Sequence, residues 1–359
     1  MTTTKYERLK DALKRLEDGT PPPPWAGLFG ASVTPEDCKL VLIPVPWDAT
    51  VSYGVGTAKG PEAILGASHQ LDLEDGRFEQ PYRAGITMLP EDREIATLNK
   101  SARAHATKVI EVSGPHAADD QDIRYVNEAS RRVNERVETA AREQLNAGRL
   151  VGVVGGDHSS PFGLIKALGD RHKDGFGILH VDAHMDLRHA FEGFTDSHAS
   201  IMRNVMDRVP QVKKLVQIAV RDYSAEERGY AMQLGGRAAV YTNADIFRRQ
   251  ARGEAWGKLA AEIIGQLPER VYISFDIDGL DPSFCPNTGT PVPGGLSYDA
   301  AVYLIEELAS SGRKIIGFDL CEVAPAEDGN EWDANVGSRL LYKLCGAILF
   351  SHGACKGLW

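Results

Sequence analysis

The sequence predicts an α/β protein in which helices cover both faces of a mainly parallel β-sheet. Short apolar runs rich in β-branched residues each end in a turn rich in Gly or Asp, at residues 40–44, 150–154, 177–181, 215–220, 238–241, 271–275 and 314–318. Helical patterns separate several of these runs, at residues 127–145, 160–168, 254–266 and 298–310. Strands that alternate with helices form βαβ units, and such units bury parallel strands between two layers of helices.

The composition is that of an ordinary globular protein. Of the 359 residues, 43% are hydrophobic and 25% are charged, and this length suits one large α/β domain with a substantial core. The formal net charge is -10, and acidic and basic residues are interspersed. Because there is no basic stripe or polybasic segment, we expect neither nucleic acid nor a membrane as a partner.

The cysteines indicate a reducing compartment. They are five in number, scattered, and without a CxxC pair, so we expect reduced thiols and a cytoplasmic protein; they are Cys38, Cys285, Cys321, Cys345 and Cys355. The first residues lack the apolar core of a signal peptide, and no apolar run reaches the length of a membrane span.

The domain organisation is predicted to be simple. Residues 1–37 form an N-terminal extension with a short charged helix, whose Leu9, Leu13 and Leu16 share one face, followed by a proline run. This helix docks on its own domain or contacts a neighbouring subunit, and both alternatives stay open. Residues 38–359 form the catalytic domain. Within it, residues 91–124 show little apolar periodicity and are expected to be an inserted loop.

Three polar motifs follow the ends of predicted strands. Gly155-Gly156-Asp157-His158-Ser159 follows the second run, Asp182-Ala183-His184-Met185-Asp186 the third, and Asp276-Ile277-Asp278-Gly279-Leu280-Asp281-Pro282 the sixth. Ligands of open parallel sheets bind outside the carboxyl ends of the strands. We therefore expect the three motifs to meet in one crevice.

The residue types in these motifs indicate a site for two metal ions. Residues two apart in an extended segment point the same way, so the acids and imidazoles of each motif converge. Taken singly, each motif is also typical of a solvated turn or a helix cap. Together they would repel one another strongly without a metal. Mostly oxygen ligands with two nitrogens favour Mn²⁺, with Ni²⁺, cobalt or iron as alternatives. The candidate ligands are His158, Asp182, His184, Asp186, Asp276 and Asp278.

The segments GGDHS, DAHMD and SFDIDGLDP, in this order and spacing, resemble the signature motifs of the ureohydrolase family, which includes arginases, agmatinases and guanidine hydrolases. The resemblance runs from about Val41 to the C-terminus, apart from residues 91–124. It implies an α/β/α sandwich, a two-manganese centre, and a homo-oligomer such as a trimer or hexamer. A hetero-oligomer with a paralogous subunit is the alternative assembly.

The resemblance also implies residue roles. One ion would be held by His158, Asp182, Asp186 and Asp276, and the other by Asp182, His184, Asp276 and Asp278. Asp186 would hold the attacking water and pass its proton to the departing amine. His198 would act as a proton shuttle and Glu322 would pair with the guanidinium of the substrate. Outside the family context, His198 would be an ordinary loop histidine and Glu322 a solvated carboxylate. His180 is interpreted as a core histidine and His189 as a loop residue.

The substrate is less well specified. Arginase-like sequences follow the second motif with a loop rich in Asn and Ser, whereas this chain has Phe191 and Phe194 there, so arginine is disfavoured. Trp332, in the segment after Glu322, would shorten the cavity, and this segment resembles the guanidine-hydrolase branch, which implies guanidine, an N-substituted guanidine or a biguanide in place of agmatine. Packing of Trp332 under its loop is the equal alternative. Cys285 and Asn287 also depart from the family pattern.

Other functions stay open. An agmatinase or guanidino-acid hydrolase would use the same metal site. A catalytically inactive paralogue that serves as a partner subunit is a second alternative, although every ligand position is filled. A one-metal zinc deacetylase of related fold is a third, and a metal count near two per chain would exclude it.

Overall fold

A single eight-stranded parallel sheet forms the centre of the molecule. The computed structural model describes residues 13–14, 21–23, 25–112 and 120–358. The sheet contains β1 (Leu40–Val45), β3 (Ile86–Met88), β4 (Leu150–Gly155), β5 (Phe176–Val181), β6 (Val212–Val220), β7 (Ala238–Thr242), β8 (Arg270–Asp276) and β9 (Lys314–Cys321). Its strand order is β3-β1-β4-β9-β8-β5-β6-β7. A separate antiparallel pair joins β2 (Phe78–Glu79) to β10 (Lys356–Gly357).

Helices cover both faces of the sheet. They are α1 (Gly60–Ala67), α2 (Arg93–Val112), α3 (Gln121–Asn146), α4 (Phe162–Arg171), α5 (Ile201–Arg208), α6 (Ala225–Leu234), α7 (Asn243–Ala251), α8 (Trp256–Gly265), α9 (Tyr298–Ser310) and α10 (Trp332–Ser351). The core on one face is built with α1, α8, α9 and α10, and the core on the other face with α2, α3, α4 and α5. The predicted three-layer α/β/α sandwich is confirmed.

Every predicted strand is present. Each of the seven apolar runs coincides with a strand of the sheet. The patterns did not reveal β3, the short pair β2 and β10, or the helices α1, α5, α6, α7 and α10. β3 is only three residues long and lies at the sheet edge, where pairing depends on its neighbour β1 more than on its own sequence.

The expected loop at residues 91–124 is wrong. Residues 93–112 form α2, and α3 begins at Gln121. The buried face of α2 consists of Ile95, Leu98, Ala102, Ala106 and Val109, at the spacing of one helix face. Alanines supply two of these five positions, and their small side chains give a weak apolar signal. Residues 113–119 lie outside the described part of the chain.

The N-terminal extension is described only in part. The helix expected there lies outside the described residues, apart from Leu13 and Lys14, and the Leu13 side chain is buried. Further along, Leu28 and Phe29 are buried in the main core, and the Phe29 ring lies edge-on to Tyr342 at 5.0 Å. Among the helices that the structure describes, none combines the length and the apolar character needed to cross a bilayer.

Candidate metal centre

Four adjacent strands present the polar motifs at one edge of the sheet. His158 follows β4, Asp182 follows β5, Asp276 ends β8 and Glu322 follows β9, and these strands are neighbours in the order β4-β9-β8-β5. The carboxyl ends of parallel strands meet at the same edge, so residues far apart in sequence come together.

One half of the site surrounds His158. Its Nδ1 atom lies 3.0 Å from Asp182 Oδ2, 3.0 Å from Asp186 Oδ2 and 3.2 Å from Asp276 Oδ2. All four side chains are buried. This is the ligand set that the resemblance implies for one ion, three carboxylates around an imidazole nitrogen.

The other half surrounds His184. Its Nδ1 atom lies 3.1 Å from Asp278 Oδ2 and 3.4 Å from Asp182 Oδ1. Backbone groups orient the acids, since the Ala183 N–H donates to Asp278 Oδ1 at 3.0 Å and the Asp278 N–H donates to Asp276 Oδ1 at 2.8 Å. Asp182 has one oxygen toward each histidine, so its carboxylate is placed between the two halves.

The electrostatics of the cluster fit a site for cations. Burial and the charge of Asp182 raise the pKa of Asp186 to about 8. Burial, Asp278 and Asp182 raise the pKa of Asp276 well above its usual value. Burial opposes protonation of His158, but its contacts with Asp182 and Asp186 outweigh burial and raise its pKa. The cluster therefore retains protons that divalent cations would replace, and its carboxylate and imidazole donors suit two such ions.

Two acids of the candidate site have strained backbones. Asp186 has φ 54° and Glu322 has φ 65°, in the left-handed region that non-glycine residues avoid. Such strain costs roughly 1–3 kcal/mol per residue and is concentrated at functional sites. The Asp186 carbonyl accepts from the Arg203 N–H at 3.1 Å, and the Glu322 N–H donates to the Gly156 carbonyl at 2.8 Å. These bonds hold both side chains in their places.

Glu322 lies against the candidate ligand His158. Its Oε1 accepts from the His158 N–H at 2.9 Å, and burial followed by the charge of Asp157 raises its pKa well above its usual value. On its other side is Gly289, where an added Cβ would come within 3.0 Å of Glu322 Oε2. The close approach of the Gly289 backbone gives the Asp281–Pro291 loop a direct contact with this acid.

A cavity of about 170 Å³ opens beside the cluster. Its lining includes His184, Asp186, His198, Phe191 and Arg188. The Phe191 ring lies edge-on to His198 at 5.7 Å, and the Arg188 guanidinium lies 5.0 Å from the centre of the Phe191 ring. His198 therefore lines the same cavity as His184 and Asp186.

His198 is held by a threonine. Its backbone N–H donates to Thr50 Oγ1 at 3.2 Å, and its Nδ1 lies 3.3 Å from the same oxygen. Thr50 in turn donates to Asp157 Oδ2 at 2.9 Å. Burial, followed by the positive charge of His184, lowers the pKa of His198 to about 3. The imidazole is therefore neutral.

Two aromatic residues lie outside the cavity lining. Phe194 is fully buried in the core, which corrects its assignment as a substrate contact. Phe191 and Phe194 pair by two backbone hydrogen bonds of 3.0 and 2.8 Å in one tight turn, and of the two rings only that of Phe191 lines the cavity. Trp332 is 46% exposed and its Nε1–H donates to the Ser283 carbonyl at 2.9 Å, so it packs on the Asp281–Pro291 loop.

The sequence patterns missed several residues around the site. Arg188 and Asp222 line the cavity, and Arg221 Nη2 donates to the carbonyls of Asp278 at 2.7 Å and Val292 at 2.8 Å. Arg221 thereby ties the third motif to its following loop. Arg188 lies two residues after Asp186, and this closeness to the second motif was the available signal.

The fold and the donor set define a class of metal-dependent hydrolases. The model of the Arginase family matches residues 38–346, and the chain belongs to this family. Its members are binuclear metal-dependent enzymes that hydrolyse C–N bonds of amidines, as ureohydrolases do.

Named relatives lie on the agmatinase side of the family. The chain is 33% identical over 300 residues to an N(1)-aminopropylagmatine ureohydrolase of Thermus thermophilus, covering 83% of this chain and 87% of the relative. It is 29% identical over 322 residues to an agmatinase of Klebsiella pneumoniae, covering 89% and 90%.

Solved structures share the fold. The proclavaminate amidino hydrolase from Streptomyces clavuligerus matches with a TM-score of 0.69 at 24% identity, over 92% of this chain and 96% of that one. The arginase from Bacillus subtilis matches with a TM-score of 0.63 at 24% identity, over 86% and 98%.

Proposed function

We propose that this ureohydrolase cleaves a C–N bond of a compact guanidinium compound, namely guanidine, an N-substituted guanidine or a biguanide. The observation that carries the proposal is the size of the cavity beside the cluster, about 170 Å³. Pockets for drug-sized ligands typically measure about 300–1,000 Å³. A cavity below that range favours a small planar cation over a long polyamine chain.

The proposed site uses six ligands, His158, Asp182, His184, Asp186, Asp276 and Asp278. Two divalent ions held by them would supply a water activated for attack near neutral pH. Asp186 would orient that water and carry its proton toward the departing amine. His198 would exchange this proton with solvent, because its neutral imidazole lines the cavity. Glu322 would pair with the guanidinium through charge-assisted hydrogen bonds.

The charges around the cavity support a substrate with a single cationic group. Asp186 and its neighbours attract a guanidinium, whereas Arg188 presents a positive charge in the same lining. Arg188 is held there by Glu227 at 3.7 Å and by the Phe191 ring. A second ammonium group at the end of a longer substrate would be repelled by the positive charge of Arg188.

We further propose manganese as the resident metal, with nickel as the alternative, because the donor set is mostly oxygen. The assembly proposed is a homo-oligomer, a trimer or hexamer, with a paralogous subunit as the alternative partner. A cytoplasmic location is supported by the cysteines, all five of which are free.

A second candidate is hydrolysis of agmatine or its aminopropyl derivative. The names of the relatives favour it. In addition, the cavity lining includes Asp222, an exposed acid that could pair with a distal ammonium group. The two candidates differ in the length of the substrate, and this difference makes them separable by experiment.

The test is a substrate screen of enzyme loaded separately with manganese and nickel. Candidates are guanidine, metformin, agmatine, N(1)-aminopropylagmatine, guanidinobutyrate and arginine, with urea and ammonia as the measured products. We expect the highest kcat/KM for guanidine or a small substituted guanidine. A preference for agmatine or its aminopropyl derivative would support the second candidate. Full metal loading without turnover of any guanidino compound would support an inactive partner subunit.

A further inference from the structure

A row of four buried polar residues crosses the middle of the sheet below the metal centre. Gln217 on β6 is in register with His180 on β5, His180 with Ser274 on β8, and Ser274 with Asp319 on β9. Each of the four is 0% exposed. Strands buried on both faces of a parallel sheet are normally apolar, and burying polar groups is costly. We call these four residues the polar row.

Gln217 fixes the proton position of His180. Its Nε2 lies 2.7 Å from the Met185 carbonyl oxygen and 2.9 Å from His180 Nδ1. A carbonyl only accepts, so the NH₂ end of the amide must face Met185 and also donate to His180. The reverse orientation would set two acceptors 2.7 Å apart. Gln217 Oε1 has no partner among the described residues, so no other contact dictates the amide orientation.

This tautomer makes His180 a donor toward Asp182. With Nδ1 accepting, the neutral ring carries its proton on Nε2, which lies 2.9 Å from Asp182 Oδ2. The N–H is bent away from the straight line to the oxygen, so the contact is a charge–dipole contact more than a full hydrogen bond. His180 lies among the candidate ligands, but its Nε2 has no lone pair free for a metal ion.

At the other end of the polar row, hydrogen bonds determine which ring nitrogen of His158 carries the proton. Asp319 Oδ1 accepts from Ser274 Oγ at 3.2 Å and from the Phe275 N–H at 3.3 Å. Since Ser274 gives its only proton to Asp319, it accepts from His158 Nε2–H at 2.9 Å. In the neutral ring, His158 Nδ1 then carries the lone pair and faces the three carboxylates of the first half of the site.

We propose that the polar row is a positioning layer for the metal centre: Gln217 and His180 orient the shared carboxylate of Asp182, and Asp319 and Ser274 set the metal-binding tautomer of His158. The inference rests on the two-metal function proposed above. It assigns to four strand residues a role in holding ligands, without any contact to substrate. Such outer partners typically contribute about 10–100-fold to metal affinity or activity.

The experiment measures how fast manganese leaves the loaded full-length enzyme after addition of a chelator. Gln217→Met removes the amide at nearly constant volume, and Ser274→Ala removes the hydroxyl. The matched control is Gln144→Met in α3, where a buried glutamine accepts from Arg149 at 2.7 Å outside the site. We expect manganese loss about 10–100-fold faster in Gln217→Met and Ser274→Ala, and an unchanged rate in Gln144→Met.

A second pair of variants tests whether His180 orients Asp182 or only fills space in the core. His180→Gln can place an N–H donor near the position of Nε2, whereas the shorter His180→Asn reaches only the position of Nδ1. We expect His180→Gln to retain manganese within a few-fold of wild type and His180→Asn to lose it rapidly. This comparison stands even if Gln217→Met fails to fold, because it compares two polar replacements at one position.

Three outcomes would contradict the account. Wild-type rates of manganese loss in Gln217→Met and Ser274→Ala would contradict the proposed role of the polar row in positioning the ligands. Equal loss in His180→Gln and His180→Asn, with equally lowered unfolding temperatures of the metal-free proteins, would reduce the polar row to a packing role. A wild-type protein that binds no manganese or nickel would instead contradict the proposed two-metal function itself.

Discussion

Asp182 Oδ2 lies 3.0 Å from His158 Nδ1, although the two residues are on different strand ends and 24 positions apart in the chain. The other oxygen of the same carboxylate faces His184. A single acid therefore joins both halves of the site.

Asp278→Asn should lose one ion and nearly all turnover while the fold survives. Asp278 Oδ2 is the carboxylate oxygen at 3.1 Å from His184, and an amide is a weaker ligand for a divalent ion. Loss of one ion abolishes activation of the attacking water. Elemental analysis and circular dichroism of the variant check this expectation. A variant with two ions and most of its activity would return Asp278 to a structural role.

His198→Ala should slow turnover by about 10²–10⁴-fold with unchanged metal content, since a positioned proton shuttle contributes on this scale. The physical reason is that His198 lines the cavity but is not among the proposed ligands. The measurement is kcat between pH 6 and 9, with added imidazole as a rescue. If kcat is the same as in wild type across this range, the proton takes another path.

Phe191→Ala should favour longer substrates relative to guanidine. The ring forms part of the cavity lining beside His198, so its removal lengthens the cavity without touching a ligand. A change in pocket size of this kind shifts relative barriers by about 1–3 kcal/mol. The readout is the ratio of kcat/KM for agmatine to that for guanidine.

Trp332→Ala is the matched control for Phe191→Ala. Trp332 donates to the Ser283 carbonyl and is half exposed, outside the cavity lining. Its removal should lower activity on short and long substrates equally, or leave both unchanged. A shift in favour of agmatine in Trp332→Ala but not in Phe191→Ala would restore the sequence-based assignment of Trp332 as the cavity wall.

The metal-free protein should lose stability as the pH rises from 6 to 9. Asp186, with its pKa raised to about 8, holds a proton in the folded state that it gives up in the unfolded state. Protonated His158 also stabilises the folded protein, because its pKa is raised. This contribution is complete below about pH 6.5 and is lost as the pH rises above that value. For each such proton, rising pH lowers the free energy of unfolding by about 1.4 kcal/mol per pH unit, between the pKa of the group in the unfolded state and its pKa in the folded state.

The measurement is the unfolding temperature of the metal-free and metal-loaded proteins across this pH range. Metal ions take the place of the protons, so the loaded protein should show a weaker pH dependence and metal binding should release protons. Stability of the metal-free protein that rises toward pH 9 would show that the cluster does not retain protons in this way.

The sequence alone predicted the sheet and the meeting of the three polar motifs at its edge, because the signals for both are local. Apolar runs mark the buried strands, and residues such as His158 and Asp276 directly follow or end them. The partnership of Gln217 and His180 could not be predicted, because it depends on β6 lying beside β5 in a definite register. Sequence also did not reveal that Phe191 lines the cavity whereas Phe194 is buried in the core, because this depends on how one turn packs.

The helix Arg93–Val112 shows a different limit of sequence reasoning. Its buried stripe includes Ala102 and Ala106, which contribute little apolar surface and so little periodic signal. The helix is stabilised by packing on α3, a tertiary effect that residues 91–124 do not reveal on their own.

The central claim is a binuclear centre, and the most direct test is the metal content of purified protein after loading with manganese or nickel. Two ions per chain are expected, because the six proposed ligands form two adjoining halves that share Asp182. The count should fall to about one in Asp278→Asn and stay at about two in Trp332→Ala. Fewer than about one ion per wild-type chain with either metal would contradict the account.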